Sequence, residues 1–280
     1  MLNNFKTVLL LGLLTGLFLF VGSLWGQQGI TIALVMSVLM NFISYFFSDK
    51  IALKMYGAKA VTRGEAPKLY SMLDYLCGRA GLPMPKVYII PSDSPNAFAT
   101  GRNPQNASVA VTEGAMRLLD ETELQGVLAH ELSHVKNRDI LISSIAAMIA
   151  GIIMYASYMA RFAMFFGGGR DREEEGGGAL GGLFTIILAP IAATLIQLWI
   201  SRTREYEADH TGAELVGDPR GLASALQKLE GYSKRLPMEA SPSNAHMFIV
   251  HPFSGGGLMS LFSTHPPIQK RIDRLLGRAA

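Results

Sequence analysis

Asp120-Glu121-Thr122-Glu123-Leu124-Gln125-Gly126-Val127-Leu128-Ala129-His130-Glu131-Leu132-Ser133-His134-Val135-Lys136-Asn137-Arg138-Asp139 is the stretch on which the reading of this chain turns. Asp120 followed three residues later by Glu123 makes a capping box, and Leu124, Val127 and Leu128 lay an apolar stripe at helical spacing. On such a helix His130 and His134 sit one turn, about 6 Å, apart on a single face, so both imidazoles can reach one ion. Glu131 lies beside them. Zinc held in this way keeps a coordination position for water, and a carboxylate next to that water can take its proton. The His-Glu-x-x-His spacing on a helix therefore points to zinc-peptidase chemistry.

Two histidines do not complete the protein side of a catalytic zinc site. A metzincin would place Gly three residues after the second His and a third His three further on, whereas this chain has Asn137 and Ile140 there. The third ligand must come from a distant segment, and a Glu on another helix is the expected donor.

The rest of the chain places that helix at a membrane. Of 280 residues, 49% are hydrophobic and only 17% charged, and the mean hydropathy is +0.26, too apolar for an ordinary soluble domain. The lone cysteine, Cys77, excludes an internal disulfide and reads as a small core residue. A net charge of +3, with no basic run interleaved with aromatics, gives no sign of a nucleic-acid partner. Thr7 to Trp25 and Ile30 to Phe47 are each close to the roughly 20 residues that span a bilayer, and they read as a helical hairpin rather than a signal peptide. Lys50, Lys54, Lys59 and Arg63 follow the second span while the intervening linker has no basic residue, which orients the N-terminus and everything after Phe47 toward the cytoplasm.

Between the hairpin and the motif, Pro67 to Ala80 has helical spacing and stops at Gly81 and Pro83, while Lys86 to Ile90 and Ser108 to Thr112 read as strands. Asn96-Ala97-Phe98-Ala99-Thr100-Gly101 between them reads either as an edge strand with Phe98 in the core or as a substrate-binding edge, at Asn96, Ala97 and Phe98, on which an extended peptide pairs.

A second hydrophobic pair, Ile140 to Ala160 and Ala179 to Ile200, flanks a glycine-rich acidic linker at 167–178. It reads as a further transmembrane hairpin, with an interfacial or buried hairpin as the alternative. After it, Glu205 and Asp209 in Ser201-Arg202-Thr203-Arg204-Glu205-Tyr206-Glu207-Ala208-Asp209-His210 share a helical face and Glu207 does not. The residues leave two readings open: a metal ligand with a supporting carboxylate, or a solvated ion-pair cluster with Arg202 and Arg204. Leu236 to Ser263 reads as a mobile flap holding His246 and His251. Pro267 to Leu276 reads as a short amphipathic helix with proline at its start. His265 before it is either a cap residue or, held extended by Pro266, a rigidly presented hydrogen-bond donor. The chain thus divides into a transmembrane hairpin (1–48), a catalytic part (49–139), a second hydrophobic hairpin (140–200) and a second catalytic part (201–280).

Taken in order, Asn96 to Gly101, the His-Glu-x-x-His helix, Ser-Arg-x-Arg-Glu-Tyr-x-Ala-Asp at 201–209, and Thr264-His265-Pro266-Pro267 with Gln269-Lys270-Arg271-Ile272 resemble the HtpX-type bacterial membrane zinc metalloproteases, relatives of the CAAX prenyl endopeptidases. The resemblance runs over nearly the whole chain. It implies a mainly α membrane protein with about four transmembrane helices and a cytoplasmic α+β, gluzincin-type peptidase domain with a small sheet. It also implies one zinc ion per chain on His130, His134 and Glu205, with Asp209 supporting a ligand His, Glu131 as general base and His265 near the reacting carbonyl. The activity implied is degradation of misfolded or damaged membrane proteins at the inner membrane. Prenyl-protein processing, or a non-catalytic transporter or scaffold, are the alternatives.

Overall fold

The computed structural model describes residues 26–141, 204–235 and 266–278, with scattered positions of the first hydrophobic segment between 8 and 23. The second hydrophobic pair beyond Leu141, the segment 236–263 with His246 and His251, and His265 lie outside the described residues.

Helix α1 (Gly26–Met55) is continuous for 30 residues. Its Gly26–Ile43 window has a mean hydropathy of 1.4 and is only 11% buried; among the described residues it alone is long and apolar enough to cross a membrane. Asn41 Nδ2 donates to Thr15 Oγ1 across 2.9 Å, joining the first segment to α1. The apolar run ends at Phe47, but no Gly or Pro follows to stop the helix. It continues two more turns until Gly57, whose φ of 63° ends it. The change from apolar to polar at residues 48–49 therefore falls inside a helix.

Four strands make a small mixed sheet in the order β1-β2-β4-β3: β1 (Lys59–Ala60), β2 (Lys86–Ile90), β3 (Ala97–Gly101) and β4 (Ala107–Thr112). β2 and β4 are parallel, and β3 lies antiparallel to β4 at the edge. One set of strand side chains, with Val87, Val109 and Val111, joins the main core with α2 (Pro67–Ala80) and the motif helix. On the other set, Ile90, Phe98 and Ala110 enclose Leu53 from the end of α1. Phe98 is thus a core residue, 3% exposed. α2 begins at its proline and ends at Gly81 in the left-handed region, and Cys77 is buried on its inner face, which pushes the thiol up to about 11.

α3 (Glu113–Leu118) is capped by Thr112, whose hydroxyl accepts from Ala115 N–H. The motif helix, α4 (Glu121–Lys136), carries the expected capping box with both of its hydrogen bonds. Val127, Leu128, Ala129 and Leu132 are fully buried, because α4 is packed between the sheet, α2 and the later helices. α5 (204–216) and α6 (Arg220–Arg235) return against it. Two glycines let them approach closely: a Cβ on Gly212 would stand 2.9 Å from His130 N, and one on Gly221 would stand 2.5 Å from Thr122 O. Glu123, buried at the start of α4, ties the helix to α6 by accepting from Ser224 Oγ at 2.6 Å and Lys228 Nζ at 2.7 Å. α7 (Ile268–Leu275) closes the described chain, with Arg271 and Ile272 turned inward.

Candidate active site

α4 presents His130 and His134, and α5 presents Glu205 against them. His130 Nε2 is 3.3 Å from His134 Nε2 and 3.6 Å from Glu205 Oε2, while His134 Nε2 is 3.5 Å from Glu205 Oε1. Nitrogen and oxygen ligands held tetrahedrally around zinc at about 2.0–2.1 Å would stand about 3.3–3.4 Å from one another, and the two ring nitrogens, and each of them with its nearer Glu205 oxygen, lie close to that separation. Two neutral imidazoles and a carboxylate are also a donor set that zinc favours. The residues fit the metal.

Burial opposes protonation of His130, but hydrogen bonds to Asp209 and Glu205 outweigh it and hold its pKa up at about 10. A metal has to displace this proton, because only the neutral ring offers it a lone pair.

Each histidine has a carboxylate behind it. His130 Nδ1 lies 2.9 Å from Asp209 Oδ1, and His134 Nδ1 lies 3.4 Å from Asp139 Oδ2. Both acids are in turn held by arginines. Arg271, fully buried, grips Asp209 with two bonds of 2.8 and 2.7 Å and reaches within 3.5 Å of Glu205, whereas Arg204 lies 3.5 Å from Asp139 Oδ1. Burial pushes the Asp209 carboxyl up, but Arg271 and His130 bring it down to about 2, so it stays ionised beside the ring it orients. Glu205 and Arg204 are both buried and Glu207 is exposed, so the segment is not a solvated ion-pair cluster.

The sequence reading missed Asp139 and Arg271. Asp139 reaches His134 because α4 ends in a reversed turn: Asp139 N–H bonds His134 O at 2.9 Å, Arg138 N–H bonds Val135 O at 3.2 Å, and Arg138 takes a left-handed φ of 59°. No glycine marks this turn in the sequence. Arg271 stands between the exposed Lys270 and Arg274 and is told from them only by the docking of α7.

Glu131 is buried beside the cluster and accepts the Ala99 backbone N–H at 2.9 Å. Burial raises its pKa, against which His130 and His134 act. A carboxylate displaced upward toward neutrality, next to a metal site, has the character of a general base. The Ala99 bond also shows which way β3 faces. Asn96 bonds Thr112 on β4 through both its N–H and its carbonyl, so by the two-residue alternation Phe98 and Thr100 face β4, and Ala97, Ala99 and Gly101 turn their backbone to the outer edge, which no strand among the described residues covers. Of the three residues expected to bind substrate, Asn96 and Phe98 are occupied in the sheet and core, and Ala97 is at the edge.

A family model described as peptidase family M48 matches residues 64–279. A "Protease HtpX homolog" from Desulfatibacillum aliphaticivorans is 58% identical over 277 residues, 98% of this chain and 89% of that protein. One from Methylibium petroleiphilum is 55% identical over 280 residues, 99% and 98% of the two. Among solved structures, Ste24p from S. mikatae has a similar fold, with a TM-score of 0.53 at 19% identity, over 94% of this chain and 62% of that one. Together with a buried His-His-Glu cluster suited to a metal, these matches show that the chain belongs to peptidase family M48 and is a metallopeptidase, a hydrolase of peptide bonds.

Proposed function

We propose that this chain is a zinc endopeptidase of the inner membrane, multi-pass and with its peptidase part facing the cytoplasm, that cleaves misfolded or damaged membrane proteins. The observation that carries the chemistry is the cluster itself: three ligand atoms within 4.8 Å of one another, beside a buried carboxylate. His130, His134 and Glu205 hold the metal, and Asp209 and Asp139 fix the two rings through their second nitrogens. When bound, zinc supplies the Lewis acidity that lowers the pKa of water toward about 7 and polarises a carbonyl. Glu131 takes the proton of the attacking water and delivers it to the departing amine. The outer backbone of β3, at Ala97 and through the Ala99 carbonyl, pairs with the substrate as an added strand, while the Ala99 N–H stays on Glu131. His265 is assigned the hydrogen bond to the oxygen of the scissile carbonyl as it gains charge. The membrane assignment is supported by the apolar, exposed first half of α1 and by the basic residues beyond it.

Metal analysis and turnover test this reading together. Glu131→Gln is expected to retain about one zinc per chain and lose proteolysis, since the amide keeps the shape but cannot accept a proton. Glu205→Ala is expected to lose zinc and Glu207→Ala to keep it. Substantial turnover by Glu131→Gln refutes the base, and zinc retained by Glu205→Ala refutes the ligand. Faster cleavage of a prenylated peptide than of an unfolded membrane protein would reverse the substrate assignment.

A further inference from the structure

The helix proposed to cross the membrane is also the helix that props the sheet. α1 runs without a break from its apolar window, ending at Ile43, to Met55, and its last three turns lie along β3. Two contacts set their relative direction. Near the window, the Arg102 guanidinium lies over the Phe46 ring, 5.5 Å from its centroid. Farther out, Leu53 packs with Phe98, and the Tyr56 ring lies 5.2 Å from that of Phe98. At 1.5 Å per residue, Phe46 lies at the end of the apolar run that closes at Phe47, Leu53 about 9 Å beyond that end and Tyr56 about 14 Å. β3 therefore descends along α1 toward the apolar end, with Phe98 high and Arg102 low. The lengths agree: four residues of strand cover about 13 Å, and the helix between the two contacts covers about 10 to 15 Å.

Ala99, whose N–H holds Glu131, is fixed on this scale one residue below Phe98, about 5 to 10 Å from the end of the apolar run at Phe47. No flexible linker intervenes, because Leu53 is buried in the sheet at 5% exposure while still part of α1.

We infer that the enzyme measures: it takes, as substrate, the extended stretch of a membrane protein immediately after that protein leaves the bilayer, and cuts it about two to three residues from the membrane, the number of extended residues that covers about 5 to 10 Å. A chain emerging from the bilayer beside α1 enters the edge of β3 already running along the strand, at the Arg102 end, and reaches Glu131 at Ala99. Recognition is by backbone pairing and distance, so any sequence that is unfolded next to the membrane qualifies. A folded domain that begins within a few residues of its span does not.

The inference rests on the proposed membrane crossing and peptidase chemistry, and the test separates them. The zinc-loaded full-length protein is co-reconstituted in phosphatidylcholine and phosphatidylglycerol vesicles with a single-span protein whose tail consists of identical tandem repeats of a peptide that the enzyme cuts. Initial cut positions are read by mass spectrometry. The repeat next to the span is expected to be cut at least about ten-fold faster than the third, since pairing at β3 is intramolecularly favoured only there. The same tail without its span is expected to be cut slowly and equally at every repeat. Equal rates along the anchored tail would overturn the measuring inference while leaving the peptidase intact. Cutting of neither tail above the Glu131→Gln background would overturn the function instead. Release of the enzyme from vesicles by carbonate would remove the membrane crossing on which both depend.

Discussion

Arg138 occupies a backbone conformation that costs a residue bearing a Cβ about 1 kcal/mol or more, and it does so one residue before the carboxylate that faces His134. The strain has a product, because the reversed turn returns Asp139 onto the imidazole. Arg138→Gly should keep the turn and stabilise the protein by about 1 kcal/mol, raising the melting temperature by about 2 to 4 °C. Arg138→Val should lower it and weaken zinc binding through Asp139. Thermal melts with zinc titration check both, and equal stability of the Gly and Val variants would show that the turn is not strained. This is also where the sequence was least legible. The capping box at Asp120 and Glu123 could be read because its chemistry is local, whereas the His134 to Asp139 contact depends on a φ that arginine gives no sign of adopting.

Among elements, the spacing between α4 and α5 decides whether Glu205 can share an ion with the two histidines. Gly212 sets it, since the α4 backbone at His130 leaves no room for a Cβ and cannot retreat as a flexible side chain would. Gly212→Ala should move α5 outward and weaken zinc binding about ten- to a hundred-fold, the scale of losing an orienting partner. Gly231→Ala on α6 meets nothing within 4 Å and should be neutral or slightly stabilising. Competition with a chromophoric chelator measures the difference, and equal affinities would show that α5 does not need this contact. The elements themselves were mostly readable: α2, β2 and β4 appear within a residue of their expected bounds, since Pro67, Gly81 and the Val/Ile runs are strong signals. The end of α1 was not, because the apolar pattern marks where a membrane ends and not where a helix does.

In the whole molecule, the His-His-Glu cluster is assembled from α4 and α5 and backed by α7, and the interior carries Arg271, Arg204, Asp209, Asp139 and Glu205 around it with Glu131 beside them. A buried group of this kind is costly unless its partners are all in place. Zinc at about a hundred times its dissociation constant should contribute about 2.7 kcal/mol to stability, and its removal by a chelator should lower the melting temperature by about 5 to 10 °C, reversibly on adding zinc. An unchanged melting temperature would mean that the three helices are held together without the ion. Of this network the sequence offered Glu205, Asp209 and Glu131 but not the arginines that hold the acids, since the pairing of Arg271 with Asp209 joins residues 62 apart in the chain.

That distribution of parts also has a meaning in time. During synthesis His130 and His134 leave the ribosome some 70 residues ahead of Glu205, and more than 130 ahead of Arg271. At about 5–20 residues per second, the nascent chain passes on the order of ten seconds with two histidines and no third ligand. In that interval it is itself an unfolded polypeptide emerging beside a membrane, the kind of target its finished form is proposed to destroy. On the proposed ligand set, a copy whose α5 and α7 have not yet docked holds no complete metal site.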